Sequence, residues 1–392
     1  MNPNSRRIYL DCNATTPVHE AVLDAMLPYF RDAFGNPSSV HRFGQEARQA
    51  VDAAREQVAR LIGAEPEEIV FTGGGTEADN LAILGSAEAR PGRGRHIVTS
   101  AVEHPAVLSS CRYLEGKGFH VTSLPVDGYG LVDSEEAAKA LRDDTILVTV
   151  MLANNDVGTL EPVERIAEAA RARGILVHTD AVQAVGKIPV DVGRLGVDLL
   201  SIASHKLYGP KGVGALFVKR GVKLAPLLHG GHHEGRKRAG TENVPGIVGF
   251  GKACEIAEKE LKAGWAAKMT ALRDSLQEGI LSQIAHVRLN GHPTQRLPNT
   301  LNVSFGFVEG ESLLMNLDLL GIAVATGSAC SSGTDEPSHV LTAMGLKPEE
   351  AHGSIRFSFG RGNSEEDIRT VLEALRNVVG RLRGMSPRYE AR

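Results

Sequence analysis

The sequence predicts an α/β fold in two domains. The large domain is built on a mostly parallel, helix-flanked sheet, and the smaller domain is α+β. The chain has 392 residues, more than one ordinary hydrophobic core requires. From about residue 66, short apolar runs alternate with helical patterns, as in βαβ units. Beyond about residue 300, short strands and helices follow in a different order, which favours a second domain.

The elements of the large domain begin with an amphipathic helix at 46–62, whose apolar residues form one stripe. Apolar runs then predict strands at 69–72, 96–100, 120–125, 145–152, 175–179, 199–203 and 214–218. Helical patterns lie between several of these strands, at 77–86, 105–117, 134–141 and 163–173. The last two strands are joined by a tight turn, so we expect an antiparallel pair at an edge of the sheet.

A long alanine-rich helical stretch at 247–284 is expected to link the domains. Strands and helices then alternate at 300–305, 311–320, 323–325, 337–344, 354–358 and 364–382. The apolar Ile8-Tyr9-Leu10 has no local partner and is expected to pack on this second group. We therefore assign residues 15–262 to the large domain, and residues 1–14 with 263–392 to the small domain.

Composition excludes several classes of protein. Hydrophobic residues make up 42% of the chain and charged residues 23%, with a net charge of −4, so nothing favours binding to nucleic acid or an anionic membrane. The longest apolar run, 146–153, is too short to span a bilayer. The four cysteines are scattered without a CxxC pair, which argues against a zinc site or disulfide framework and favours a reducing compartment. We expect a cytoplasmic protein without a metal site.

Lys206 ends a predicted buried strand and precedes a glycine-containing turn. A lysine held there would be partly desolvated, which lowers its pKa and suits it to forming an imine with an aldehyde. The alternative is a surface lysine beside a hairpin.

The run Thr72-Gly-Gly-Gly-Thr76-Glu-Ala follows a strand and opens a helix. Three glycines let the backbone approach a ligand, and Thr76 is expected to cap the helix. The free N–H groups of the first turn would then form a phosphate cradle. The alternative is a glycine-rich connection with ordinary capping.

Other polar residues follow strands that should end at the same sheet edge, where ligands bind in open α/β folds. Asp180 would be a buried carboxylate in need of a cationic partner, such as a protonated pyridine nitrogen; a salt bridge or helix cap is the alternative. With Lys206 and the phosphate cradle, Asp180 suggests pyridoxal phosphate (PLP). His104 could move protons or stack on a ring. Arg356, on a strand of the small domain, could bind a carboxylate with two hydrogen bonds.

Cys330 lies among small polar residues at about 325–335, without an apolar anchor. A structural cysteine is normally buried among apolar neighbours, so the sequence favours an exposed loop and a nucleophilic thiol. Cys111 and Cys254 lie within helical patterns and are expected in the core.

Together these residues lie in motifs that resemble the PLP-dependent cysteine desulfurases of the NifS/IscS type, in the class V aminotransferases of fold type I. The resemblance extends from Tyr9 to about Gly380 and rests on YLDCNATTP, FGNPSS, FTGGGTEADN, EHPAV, ANNDVGT, HTDAVQ, SHKLYGPKG, RAGTENV, TGSACSS, EPSHVL and SIRFSFGR.

The resemblance implies a PLP-binding large domain and a role for each matching residue. Lys206 would hold PLP as a Schiff base, Asp180 would pair with the ring nitrogen, and His104 would stack on the ring and move protons. The remaining cofactor contacts implied are Gln183 on the ring hydroxyl and Gly75, Thr76, Ser204 and His205 at the phosphate, with Thr241 from a second subunit. The substrate carboxylate would lie at or beside Arg356, Asn155 and Asn13.

The implied reaction converts L-cysteine to L-alanine and leaves a persulfide on Cys330. The sulfur would then pass to an iron–sulfur scaffold or another acceptor protein. A selenocysteine lyase or another class V aminotransferase is an alternative enzyme, although a transaminase would not need Cys330. A non-catalytic scaffold is a third interpretation, which the presence of Lys206, Asp180 and Cys330 disfavours.

The chain departs from the usual family pattern in three places. Ala203 stands where serine is common, and Ser204 is a candidate to replace that phosphate contact. Cys12 stands where a small polar or aromatic residue is usual, and is either an additional thiol or filler. The segment Gly231-His-His-Glu-Gly-Arg236 also differs, at the position expected to face a second subunit.

Overall fold

The computed structural model describes residues 7–90, 92–327, 337–386 and 389. In chain order its strands are β1 (Ile8–Tyr9), β2 (Ile69–Thr72), β3 (His96–Ser100), β4 (His120–Leu124), β5 (Thr145–Thr149), β6 (Leu176–Asp180), β7 (Leu199–Ala203), β8 (Gly214–Val218), β9 (Val287–Asn290), β10 (Thr300–Phe305), β11 (Ile322–Ala323) and β12 (Ser354–Ser358).

The α-helices described are α1 (Glu20–Met26), α2 (Pro28–Arg31), α3 (Arg42–Ile62), α4 (Gly75–Glu88), α5 (Pro105–Glu115), α6 (Ser134–Ala140), α7 (Val163–Arg171), α8 (Val192–Leu195), α9 (Val244–Lys262), α10 (Trp265–Gln283), α11 (Gly310–Leu319), α12 (His339–Ala343), α13 (Pro348–His352) and α14 (Glu365–Met385). No helix among the described residues is long and apolar enough to cross a membrane.

The large sheet has seven strands in the order β2-β8-β7-β6-β5-β3-β4. The five strands from β7 to β4 are parallel to one another, and every residue of β3, β5, β6, β7 and β8 is buried. This burial on both faces explains why these strands are continuous apolar runs rather than alternating ones. The sequence prediction of a mostly parallel, helix-flanked sheet is confirmed.

Strand β8 runs antiparallel to both β7 and β2. The antiparallel pairing expected at the tight turn is therefore present, but the expected edge position is wrong, because β2 covers the outer side of β8. Gly214, at the start of β8, packs against the backbone of the glycine-rich run. A Cβ atom on Gly214 would lie 2.5 Å from the Ile202 carbonyl oxygen and 2.8 Å from the Gly74 carbonyl carbon, so only glycine fits.

A second sheet has three antiparallel strands in the order β12-β10-β9, and β1 pairs in parallel with β11 beside it. Ile8 and Leu10 are buried in the same apolar cluster as residues of β10, β12, α10 and α14. The N-terminal arm (residues 7–14) therefore packs on elements that lie about 300 residues later in the chain, as its lack of a local apolar partner indicates.

The predicted helical stretch 247–284 is two helices, α9 and α10, and not one. Gly264 separates them with a φ of +88°, a left-handed conformation that glycine adopts without steric cost. Both helices bury apolar residues, so the apolar pattern continues across Gly264. The periodicity alone therefore did not indicate the break between the helices. The short elements α1, α2, α8, α13 and β9 were also absent from the sequence prediction.

Candidate active site

Four parallel strands of the large sheet end at one edge, and each leads to a residue expected in the site. In spatial order β7, β6, β5 and β3 lead to Lys206, Asp180, Asn155 and His104. Because the carboxyl ends of parallel strands share an edge, residues far apart in sequence meet there. This edge is where the sequence placed the ligand crevice.

Lys206 ends a single 3₁₀ turn, Ser204–Lys206, that directly follows β7. Its Nζ donates hydrogen bonds to two backbone carbonyl oxygens of the N-terminal arm, that of Asn13 at 2.5 Å and that of Ala14 at 2.7 Å. The ammonium group is half-buried and its direction is fixed by these two acceptors. The N-terminal arm, whose contacts with Lys206 the sequence did not indicate, therefore forms part of the site.

Asp180 is the last residue of β6 and is buried. Its Oδ1 accepts a hydrogen bond from the Val182 N–H at 2.9 Å. Burial raises the pKa of this carboxyl, while the nearby His104 and Lys206 lower it. A positively charged group placed against Asp180 would offset the cost of burying its negative charge.

His104 is the N-cap of α5, and its Nδ1 accepts a hydrogen bond from the Ala106 N–H at 3.1 Å. Since Nδ1 is an acceptor, the neutral ring carries its proton on Nε2. Burial lowers the pKa of His104, and Asp180 opposes that effect. One side-chain atom each of His104, Asp180 and Asp79 lies within 4.8 Å of the other two, so the two expected residues do meet.

Asp79 is a residue that the sequence analysis missed. It is buried in the first part of α4, and its pKa is raised well above the ordinary value by burial and by the charge of Asp180. Burial and the neighbouring carboxylate therefore both favour the protonated form of Asp79. Its helical setting resembled that of an ordinary polar residue, and the only signal was its position one turn after the glycine-rich run.

His178 lies behind Asp79 in the centre of the sheet. Its ring bonds Thr149 Oγ1 at 2.8 Å and Ser201 Oγ at 3.0 Å, and so links β6 to both neighbouring strands. Burial lowers the pKa of His178 to about 3, so its 3.7 Å approach to Asp79 is a contact with a neutral ring. The neutral ring of His178 therefore holds the three strands together beneath the site.

The glycine-rich run forms an open helix N-terminus. Helix α4 begins at Gly75, and its N-cap is Gly74, with no side-chain cap. The prediction that Thr76 caps the helix is therefore wrong, because Thr76 lies within the first turn, where its side chain is exposed. A Cβ atom on Gly75 would lie 2.8 Å from Val182 Cγ2 and 3.5 Å from Ala203 Cβ, so glycine lets the start of α4 pack closely against these two residues. Uncapped N–H groups in this position are suited to an anion.

The two residues before Lys206 have different surroundings. His205 is half-buried, and its Nδ1 bonds Thr15 Oγ1 at 3.1 Å. Burial and nearby lysines lower its pKa to about 4, so the ring is neutral. Ser204, by contrast, is buried, and a Cβ atom on Gly209 would lie 1.9 Å from its Oγ. The Ser204 hydroxyl is thus buried against Gly209 without a hydrogen-bond partner among the described residues, and its role as a phosphate contact stays a prediction.

Asn13 connects the strand ends of the large sheet with β10 of the three-stranded sheet. Its carbonyl oxygen, already an acceptor for Lys206, also accepts from Gln183 Nε2 at 2.9 Å. Its Nδ2 donates to Thr300 Oγ1 at 2.9 Å and to the Asn155 carbonyl oxygen at 3.1 Å. Asn13 is 2% exposed, so these bonds are shielded from water. The three expected residues Asn13, Gln183 and Asn155 are thus brought together.

Arg356 lies on β12 and is buried. Its guanidinium donates to the Asn155 carbonyl oxygen at 3.1 Å and to Asp11 Oδ1 at 2.9 Å. The Nε atom is buried with no hydrogen-bond partner among the described residues. A buried donor without a partner is costly, and a substrate carboxylate would satisfy it. Asp11 was not among the predicted residues, although it lies in the YLDCNATTP motif.

Of the other predicted residues, Thr241 is exposed on the loop before α9, and Cys330 lies outside the described residues. Cys111 and Cys254 are buried in the core, as expected. Cys12 is also buried, and burial raises the pKa of its thiol to about 11. Cys12 is therefore a protonated thiol at neutral pH and not a ready nucleophile.

Comparison with known proteins tests this arrangement. The aminotransferase class-V family profile matches residues 8–371. A cysteine desulfurase IscS from Methanosarcina thermophila is 52% identical over 387 residues, which is 99% of this chain and 95% of that protein. The chain belongs to the cysteine desulfurase group of the class-V aminotransferases. The resemblance drawn from the motifs is thereby confirmed.

Further relatives agree. A cysteine desulfurase IscS from Dictyoglomus turgidum is 52% identical over 97% of each chain. Among solved structures, a NifS-like protein superposes with a TM-score of 0.90 at 41% identity, covering 96% of this chain and all of the other. A structure titled SspA in complex with cysteine gives a TM-score of 0.80 at 38% identity, covering 90% of this chain and 98% of that one.

Class-V aminotransferases use PLP, and the residues present fit that cofactor. Lys206 provides an amine at a strand end, Asp180 provides a buried carboxylate for a ring cation, and the uncapped start of α4 provides donors for a phosphate. A Cβ atom on Gly74, the N-cap of α4, would meet no atom of the described residues within 4 Å, so the space beside this helix start is open.

Proposed function

We propose that this cysteine desulfurase uses PLP held on Lys206 to convert L-cysteine to L-alanine, and that it leaves the sulfur as a persulfide on Cys330. One observation carries the proposal: Lys206, Asp180 and His104 converge at one sheet edge beside an uncapped helix N-terminus. In a member of the cysteine desulfurase group, these are the groups that the chemistry requires.

The cofactor would be held by residues from several elements. Its ring nitrogen would face Asp180, and its ring oxygen would accept a hydrogen bond from Gln183. Its phosphate would accept hydrogen bonds from the free backbone N–H groups at Gly75 and from the side chains of Thr76 and His205. When bound, PLP supplies an electron sink for the electrons left on the substrate α-carbon after its proton is removed. The charge on Asp180 favours the cationic ring nitrogen and so strengthens that sink.

The substrate would be oriented by its carboxylate. Arg356 Nε is the buried donor that this carboxylate would satisfy, with Asn155 and Asn13 beside it. His104 is neutral at pH 7 because burial lowers its pKa. It is therefore able to receive and return a proton at the substrate, and its bond to the Ala106 N–H fixes which nitrogen faces α5.

The sulfur transfer step would be carried out by Cys330. Its thiolate attacks the substrate sulfur, a sulfur–sulfur bond forms, and the bond from the substrate sulfur to Cβ breaks. The electron pair of that bond remains with carbon, which takes up a proton to give L-alanine. L-cysteine and one enzyme thiol are thus converted to L-alanine and one enzyme persulfide, without an external oxidant.

Two further parts of the proposal concern the assembly. We propose a homodimer in which Thr241, on its exposed loop, contacts the cofactor phosphate of the partner subunit. We also propose that the persulfide passes to an iron–sulfur scaffold or another acceptor protein in the cytoplasm. Three described cysteines are free thiols, which is consistent with a reducing compartment.

A brief exposure of the PLP-loaded protein to L-cysteine, followed by peptide mass spectrometry, tests the proposal. We expect one additional sulfur atom on the peptide containing Cys330, removable by a thiol reductant. Cys330→Ala should keep the visible absorption band of bound PLP but form neither alanine nor sulfide. Lys206→Ala should lose that band. Continued desulfuration by Cys330→Ala would overturn the assignment of the nucleophile.

A further inference from the structure

Lys187 is a buried lysine outside the residues assigned so far. It lies in the turn that follows β6, four residues after Gln183, and is 3% exposed. A lysine is rarely buried unless its donors are all used, because removing the amine from water is costly. The described residues give it no ion pair with a carboxylate, so hydrogen bonds hold it in place.

The Nζ atom of Lys187 donates to the side-chain oxygens of two amides that face the cofactor site. The distances are 2.5 Å to Gln183 Oε1 and 3.1 Å to Asn13 Oδ1. A lysine ammonium offers only donors, so both amides must turn their oxygen atoms towards it. Their NH₂ groups are consequently directed elsewhere.

The direction of these NH₂ groups matters for the site. Gln183 Nε2 donates to the carbonyl oxygen of Asn13, and this same oxygen accepts from Lys206 Nζ. If the Gln183 amide were reversed, two oxygen atoms would face each other there. The amide of Gln183 has a second N–H, and the proposed function gives it the ring oxygen of PLP as acceptor.

We propose that Lys187 is a positioning residue for the cofactor site: by holding Gln183 Oε1 and Asn13 Oδ1, it fixes both amides so that Gln183 presents an N–H to the ring oxygen of PLP. The inference rests on the proposed function, since it assigns a role towards the cofactor. It adds a residue that does not contact the cofactor itself.

The charge of Lys187 bears on this role. Burial lowers its pKa to about 7, with further lowering by Lys206 and Arg356 and an opposing effect of Cys12. These three groups, from the 3₁₀ turn, β12 and the N-terminal arm, surround the amine. A neutral amine keeps two N–H donors, enough for both amide oxygens, but only the ammonium form, which has no acceptor, forces both oxygens to face it.

Lys187→Met tests the proposal, because it keeps the volume of the side chain and removes its donors. The readout is the pH midpoint of the visible band of bound PLP, titrated without substrate. A hydrogen bond to the ring oxygen withdraws electron density and lowers that midpoint. Its loss should raise the midpoint by about one to two pH units. Lys219→Met, at the opposite end of the sheet, is the matched control and should leave the midpoint unchanged.

Gln183→Met and the double variant separate positioning from packing. If Lys187 acts through Gln183, the double variant should raise the midpoint by no more than Gln183→Met does alone. Additive shifts, or an unchanged midpoint in Lys187→Met, would overturn the proposal. Should Lys187→Met fail to fold, Gln183→Glu keeps acceptors for Lys187 but removes the N–H donors. An unchanged midpoint in that variant would likewise overturn it.

The wild-type protein separates this inference from the proposed function. If it forms no visible band with PLP and no alanine from L-cysteine, the proposed function fails first. If it does both and Lys187→Met titrates as the wild type, only the role of Lys187 is wrong.

Discussion

The contact expected between Arg356 and the substrate carboxylate gives a prediction whose size follows from the structure. Two of the guanidinium nitrogens are already used by Asn155 and Asp11, and Nε is buried without a partner among the described residues. Arg356→Lys keeps the positive charge but replaces the planar donor set with a single ammonium. We therefore expect the substrate to lose the hydrogen bond from Nε.

A hydrogen bond to a charged group contributes about 1.5–3 kcal/mol. Each 1.4 kcal/mol changes an equilibrium constant about tenfold, so the KM for L-cysteine should rise by roughly 10- to 150-fold. The carboxylate does not react, and its contact is the same before and during the chemical step. The kcat should therefore change much less than KM.

The assay is steady-state formation of alanine, together with inhibition by added L-alanine. The product carries the same carboxylate, so its inhibition constant should rise by a similar factor, and this constant is an equilibrium measure. Arg288→Lys is the matched control, since Arg288 lies on β9 of the same sheet and pairs only loosely with Glu350 at 3.7 Å. If Arg356→Lys folds normally and both constants stay within about twofold of the wild type, Arg356 does not bind the carboxylate.

Two other substitutions test the proton chemistry of the chain. His104→Gln should slow alanine formation by roughly 10²–10⁴-fold with the PLP band retained, and His120→Gln, exposed on β4, should not; near-normal turnover in His104→Gln would leave it no part in proton transfer. Glu161 is buried, and burial raises its pKa from 4.5 to about 8, so the folded chain retains a proton that the unfolded chain loses. The free energy of unfolding should thus fall as the pH rises through that interval. Glu161→Gln keeps an acceptor for the Val132 N–H and should reduce the fall in Tm between about pH 5.5 and 8, whereas an equal fall in both proteins would contradict the assignment.

The sequence predicted the parts of the site that depend on sheet topology. Lys206, Asp180 and His104 each follow a buried apolar run, and parallel strands bring such residues to one edge whatever their separation in the chain. The tight turn after Lys206 predicted that β8 runs antiparallel to β7. Nothing in the sequence indicated that β8 also pairs with β2. That pairing joins segments about 145 residues apart and leaves no local pattern.

The contacts that the sequence did not indicate depend on orientation or on distant partners. Ser204 is adjacent to His205 in sequence, yet the 3₁₀ turn directs its hydroxyl inward. Lys187 was not among the predicted residues, because one of its two amide partners, Asn13, is 174 positions away in the chain. Asp79 fits the periodicity of α4, and nothing in the sequence pattern indicates that it lies close to the carboxyl group of Asp180.

The position of Asn13 has a consequence for how the enzyme is made. Its backbone N–H bonds Ser358 Oγ, a residue 345 positions later in the chain. At roughly 5–20 residues per second, a ribosome takes on the order of 20–70 s to synthesise that interval. Lys206 is synthesised 152 residues before Ser358, so for roughly 8–30 s of that time the reactive lysine exists before Ser358 can hold the arm that orients it. A nascent chain halted before Ser358 should therefore fail to retain PLP, so that catalytic competence is acquired only near the end of translation.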